Sequence, residues 1–233
     1  MKIELCVASL EGAKLAKELG VDRIETCISL EQGGLTPTQA MVSWIHENFT
    51  LEQHPLIRLR AGGFTYSNEE HVVMCKQIKN LACTAGVSGF VVGALNADKQ
   101  LDFKQLQDYM KAAPTHSFTF HRAFDQIEDW KTAMDQLIDL GFKRILTSGC
   151  KHAVDQGLDQ LRAYLEHAAG RIEIMAGGGV SIENVSTLRQ LGVNAIHFSG
   201  TSPQIVEKDS AFEETLLIPD SAKAVAILNK LRG

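Results

Sequence analysis

Four groups suited to proton transfer, Glu4, Glu25, His121 and Asp125, lie within or just past short β-rich runs of the 233-residue chain. A carboxylate or imidazole held beside a substrate can give or take a proton. Arg58, Arg60 and Arg122 fall at comparable points and suit an anionic ligand, because a guanidinium offers forked donors to carboxylate or phosphate. Two thiols, Cys6 and Cys27, occupy matching points of the first two runs. Neighbouring strands lie about 4.8 Å apart, so two thiolates there could share one soft ion such as Cu(I). The chain contains no CxxC and no HExxH, and a structural zinc site is not expected.

Two glycine-rich corners add to this set. Ala176-Gly177-Gly178-Gly179 and Ser199-Gly200-Thr201 allow close backbone approach to an anion. Thr147-Ser148-Gly149 adds further donors, Ser148 among them. No Lys sits at the end of a predicted strand, which disfavours Schiff-base chemistry.

The elements that must position these groups repeat along the chain. Predicted strands cover 2–6, 23–27, 55–60, 89–93, 117–121, 144–147, 172–176 and 195–198. Helical periodicity covers 9–19, 38–48, 68–85, 102–112, 129–140, 153–169, 182–191 and 221–231. Ser9, Thr36, Ser67 and Ser181 stand where N-caps belong, with Pro37 at a first helical position. Leu19-Gly20, Leu140-Gly141 and Leu191-Gly192 each end a helix and feed a strand. Eight βα units in one chain of this length predict a single-domain (β/α)8 TIM barrel over residues 1–233. Residues 202–219 form an irregular segment after the last strand.

Alternation along each strand assigns an inward set. Glu4, Cys6, Glu25, Cys27, Arg58, Arg60, Thr119, His121, His197 and Ser199 point into the barrel. A barrel interior normally holds Val, Ile and Leu. Two readings stay open: an ion network of Glu4, Glu25 and Arg58 that plugs the barrel, or a polar pocket for an anionic small molecule. In the pocket reading Arg58, Arg60, Arg122, Ser148, Gly177, Gly178, His197 and Ser199 bind substrate. His121 reads equally as a hydrogen-bonded core histidine, and Cys6 and Cys27 as buried core thiols. Cys75 and Cys83, eight residues apart on one helix, also read as core.

Composition narrows the classes. Lys+Arg is 23 against 28 Asp+Glu, a net charge of −5, which argues against nucleic-acid binding through a basic face. No run is long enough to span a bilayer, and the N-terminus lacks a signal-peptide h-region, so a soluble cytoplasmic protein is expected. Five widely spaced cysteines point to free thiols.

Together these phrases resemble the CutC family of copper homeostasis proteins. The matching stretches are IELC at 3–6, DRIETC at 22–27, EQGGLTPT at 31–38, HPLIRLRAGGFTYSNEE at 54–70, FTFHRAFD at 118–125, RILTSG at 144–149, MAGGGVSIEN at 175–184 and IHFSGT ending at 201. The resemblance implies a TIM barrel, a cytoplasmic homodimer or higher homo-oligomer, and copper binding through Cys6 and Cys27. The chain departs from the family pattern at Leu59, Ala61 and Gly63, where Pro, Gly and Asp are usual, and at Phe198, where Ser is frequent. Two functions follow as expectations. One is a copper homeostasis protein holding Cu(I). The other is a TIM-barrel enzyme using Glu4, Glu25, His121 and Asp125 on a small phosphorylated or carboxylated substrate. A non-catalytic scaffold is a third reading.

Overall fold

Runs of Ile, Val and Phe bounded by turn residues give eight short parallel strands in the computed structural model, which describes all 233 residues. They are β1 (Lys2–Val7), β2 (Arg23–Thr26), β3 (Gln53–Pro55), β4 (Gly89–Val92), β5 (Ser117–Phe120), β6 (Arg144–Thr147), β7 (Glu173–Gly177) and β8 (Ala195–Phe198). Helices separate them: α1 (Leu10–Leu19), α2 (Gln39–Phe49), α3 (Asn68–Ala82), α4 (Phe103–Ala112), α5 (Trp130–Leu140), α6 (Leu158–Ala168) and α7 (Val185–Leu191). Strands pair in the order β3-β2-β1-β8-β7-β6-β5-β4, and bridges from Gln53 to Val87 and from Leu56 to Val91 close the ring. The result is the (β/α)8 barrel.

The core explains why the interior is free to be polar. A cluster of 52 buried apolar residues fills the space between the outer faces of the strands and the helices. Phe90, Phe118 and Phe120 belong to it. Each such side chain contributes about 1.5–3 kcal/mol on burial. Inside the ring the apolar clusters are small: Cys6, Cys27, Leu56 and Val91 on one side, and Leu146, Met175 and Ala195 on the other.

The helix ends follow local chemistry. The Ser9 and Ser67 side chains accept from Gly12 and Glu70 N–H groups, and Glu70 completes a capping box by reaching back to Ser67. Gly20, Gly141 and Gly192 end α1, α5 and α7 in the left-handed conformation that a side chain disfavours.

Four expectations are corrected. The third strand is Gln53–Pro55 rather than 55–60, because Thr36, not a strand neighbour, pairs with the Arg58 backbone. Thr38 and Asn184 stand at the N-cap positions expected for Thr36 and Ser181, so both helices start later. Residues 202–219 are not irregular. They form an antiparallel hairpin of β9 (Thr201–Val206) and β10 (Glu214–Pro219), followed by α8 (Ser221–Arg232). Cys75 is half-buried and packs against the core, but Cys83 is exposed and is not part of it. No helix is long and apolar enough to cross a membrane.

Candidate functional site

Because side chains alternate along a strand, the inward residues of β1, β2 and β8 stack in successive levels of the ring. The register pairs Glu4 with Arg23 and with His197, and Cys6 with Glu25. Above them opens a cavity of about 420 Å³ at the C-terminal mouth. Cys6, Glu25, Arg58, His121, Arg122, Gly178, His197 and Ser199 line it, as do Phe64 and Lys223.

The inner end of the cavity is a chain of charged groups. The Arg23 guanidinium donates to Glu4, and His197 Nδ1 bonds the other Glu4 oxygen at 2.7 Å. That bond fixes the imidazole and leaves Nε2 for the cavity. Burial opposes charge on Glu4, but the His197 hydrogen bond and the charges of His197 and Arg23 outweigh it and hold its pKa at about 2. Burial likewise opposes the His197 imidazolium. The charge of Glu25 and the bond to Glu4 prevail and raise its pKa.

Glu25 is only 5% exposed, and its Oε2 has no hydrogen-bond partner. Burial raises its pKa, partly offset by the charge of His197. Cys6 Sγ lies 3.5 Å from Glu25 Oε1 and 3.6 Å from Cys27 Sγ. The Cys27 contact, followed by burial, pushes the Cys6 thiol well up. One ligand atom each from Cys6, Glu25 and His197 lies within 4.8 Å of the others. The two thiols are in contact as expected, but not at matching positions: Cys6 pairs with Glu25, and Cys27 sits above it, fully buried with Leu56.

His121 Nδ1 accepts the Ala123 N–H, and its Nε2 is buried with no partner. Burial, aided by the Arg58 charge, lowers its pKa to about 3, so it is neutral. Gly93 makes room for it, since a Cβ there would lie 2.3 Å from the His121 ring.

Several expected site residues serve other ends. Glu4 does not line the cavity; it sits beneath and orients His197. Asp125 accepts from the Ser148 and Cys150 N–H groups, the Ser148 and Thr147 hydroxyls and Arg122 Nε, which saturates it as a loop anchor rather than an acid–base group. Ser148 is spent on Asp125, Arg122 and the Lys151 carbonyl. Gly177 lies outside the cavity, where a Cβ would meet Leu146 and His197. Arg60 points away, pairs with Glu70 and stacks over Tyr66. Arg58 does line the cavity, but its guanidinium donates to the carbonyls of Gln32, Gly34 and Gly62, which ties the β2 and β3 loops together. Ion pairing of Glu25 with Arg58 is therefore not formed.

The sequence reading missed Arg23, Lys223 and Phe64. Arg23 shares the inward parity of Glu25 and Cys27, and that signal was available. Lys223 arrives on α8, and no local pattern ties it to the mouth.

Comparisons with known proteins agree on one family. The CutC family model matches residues 1–202. A CutC protein of Glaesserella parasuis is 37% identical over 236 residues, covering 100% of this chain and 97% of that one. A human relative named copper homeostasis protein cutC homolog is 37% identical over 201 residues, covering 86% of this chain and 73% of that one. A solved CutC structure from Streptococcus agalactiae superposes with a TM-score of 0.81 at 30% identity, covering 85% of this chain and 99% of that one. A 3-hexulose-6-phosphate synthase from Salmonella typhimurium, at 16% identity and a TM-score of 0.61 over 100% of this chain and 99% of that one, shares the barrel alone. By sequence and by fold the chain belongs to the CutC family.

Proposed function

We propose that this protein acts in copper homeostasis by holding Cu(I) as cargo between Cys6 and Cys27, with His197 as a third donor. The carrying observation is the 3.6 Å contact of the two thiols, with a His197 ring nitrogen within 4.8 Å of Cys6 Sγ. That separation is too short for a linear arrangement, which needs about twice a ~2.3 Å metal–sulfur bond, so a third ligand is required. The His197 Nε2 is free for it, since Nδ1 is held by Glu4 as ligating histidines commonly are. Two sulfurs and an imidazole form a soft donor set of the kind that selects Cu(I). Relatives in human and Caenorhabditis elegans carry the copper homeostasis name. Because the Cys6 thiol is held protonated, binding releases protons and tightens as pH rises. A reducing cytoplasm suits the five free cysteines. Self-association is supported by Ile205 and Phe212, 57% and 81% exposed in the hairpin region, and light scattering at rising concentration tests it.

An anaerobic competition titration against a chromogenic Cu(I) chelator tests the copper reading. One equivalent bound by the wild type and none by Cys6→Ser/Cys27→Ser is expected. Binding indifferent to the double substitution contradicts it.

A second reading is favoured by a separate observation, the unpartnered Glu25 Oε2 facing the same cavity as His197 Nε2. A buried base beside a fixed imidazole suits proton transfer on a small anionic molecule. Under it, Glu25→Gln and His197→Asn remove turnover of a substrate found by metabolite screening while the fold survives. Retained turnover in both would remove the reading.

A further inference from the structure

The outer rim of the cavity carries donors that neither reading uses. Gly178, Gly179, Val180, Ser199 and Gly200 all line the cavity, and none of their backbone N–H groups donates to a protein acceptor. Val180 and Gly200 are buried, so their N–H groups call for a partner that the chain does not supply. These amides belong to the loops after β7 and β8. Gly178 has φ +96°, and a Cβ on it would lie 2.9 Å from the Arg122 guanidinium. A side chain is thus excluded where the backbone faces the charge.

Two cations border the same rim. Arg122 spends Nε on Asp125 and Nη2 on Ser148 and Lys151, while Nη1 has no protein acceptor. Lys223 Nζ donates to the Thr201 carbonyl at 2.8 Å and keeps two further protons. Deeper in the cavity, Glu25 Oε2 and His121 Nε2 are buried and unpartnered, each on a residue 5% exposed. The cavity, at about 420 Å³, falls in the range of small-molecule sites and far exceeds the needs of one ion.

We propose that the five free amides of the β7 and β8 loops, with Arg122 and Lys223, bind the phosphoryl group of a small phosphate monoester, whose organic part lies over Glu25 and His121. Five N–H groups and two cations outnumber what the two oxygens of a carboxylate can accept, and they match the three terminal oxygens of a phosphate. The monoester is the substrate class of the proton-transfer reading, on which the role of Glu25 rests. The cradle itself stands on binding alone.

The test is a titration of ¹⁵N-labelled protein with inorganic phosphate and with glycerol phosphate, using sodium chloride at equal ionic strength as control. Saturable shifts of the Gly178, Gly179 and Gly200 amides are expected, stronger with glycerol phosphate and absent with chloride. Lys223→Gln should weaken binding by about tenfold, as for one charged hydrogen bond. Ser199→Asp should abolish it by placing a carboxylate in the cradle. Absence of saturable shifts at these amides, or equal affinity in wild type and Lys223→Gln, overturns the proposal. Glu25→Gln separates the two claims. Phosphate binding that survives in this variant supports the cradle, and turnover that also survives in it, or a wild type that turns over no monoester it binds, removes the proton-transfer reading alone.

Discussion

The lower and upper halves of the barrel interior are both polar, yet they differ in how their groups are satisfied. Below, the charged groups meet opposite charges: Arg23 pairs with Glu4, and Arg144 lies 3.1 Å from Glu173 and donates to Thr119 at 3.0 Å, although Arg23 Nη1 is left without a hydrogen-bond partner. Above, Glu25 Oε2, His121 Nε2 and Arg58 Nε are buried without partners. Leaving a buried polar group unpaired costs about 1–3 kcal/mol. A plug maintains itself by pairing, whereas a site keeps capacity for a ligand. Glu4 joins the halves, since it accepts from Arg23 on one side and from His197 on the other.

The largest effect expected from breaking this contrast is in the lower half. Arg23→Ala leaves the buried Glu4 carboxylate with His197 as its one charged partner and one oxygen unpaired, and should cost about 3 kcal/mol in urea denaturation. A cost below 1 kcal/mol would mean that the pair is not structural.

The next effect is pH-dependent and belongs to the upper half. His121 is neutral when folded, with a pKa of about 3, and the unfolded imidazole titrates near 6.5. Protons therefore favour the unfolded chain as pH falls below 6.5, by about 2 kcal/mol at pH 5. His121→Asn should flatten this part of the stability curve. Glu4 acts in the same direction over a lower window: its stabilisation is full above pH 4.5 and disappears as pH falls toward 2. An unchanged curve in His121→Asn would remove the histidine from the account.

Smaller still is Glu25→Gln. It keeps the shape and removes a charge that burial disfavours, so stability should change by less than about 1 kcal/mol. A loss as large as that of Arg23→Ala would move Glu25 into the plug and favour the scaffold reading. Smallest is Arg60→Ala. Its pair with Glu70 is 41% exposed on the arginine side, and such pairs contribute about 0–1 kcal/mol. Phosphate and Cu(I) binding should not change.

Much of this contrast was legible in the sequence, and the failures have physical causes. Strand alternation placed Glu4, Cys6, Glu25, His121 and His197 inside, because period-two geometry is local. It failed at Arg60, where the chain leaves the sheet after β3 and the alternation no longer applies. Asp125 and Ser148 have the right chemistry but are consumed by each other, and spacing does not report hydrogen-bond saturation. The hairpin at 201–219 was hidden by Pro203 and Pro219, which read as breakers yet sit in a two-stranded ribbon of edge strands. Lys223 joins the rim only through packing of α8, which no local pattern encodes.

The most direct test of the copper assignment is copper K-edge absorption fine structure on protein loaded with one equivalent of Cu(I). Two sulfur scatterers and one imidazole nitrogen are expected, with the sulfur shell lost in Cys6→Ser/Cys27→Ser. A shell of nitrogen and oxygen alone, or a spectrum unchanged by the double substitution, would contradict the assignment of copper to these thiols.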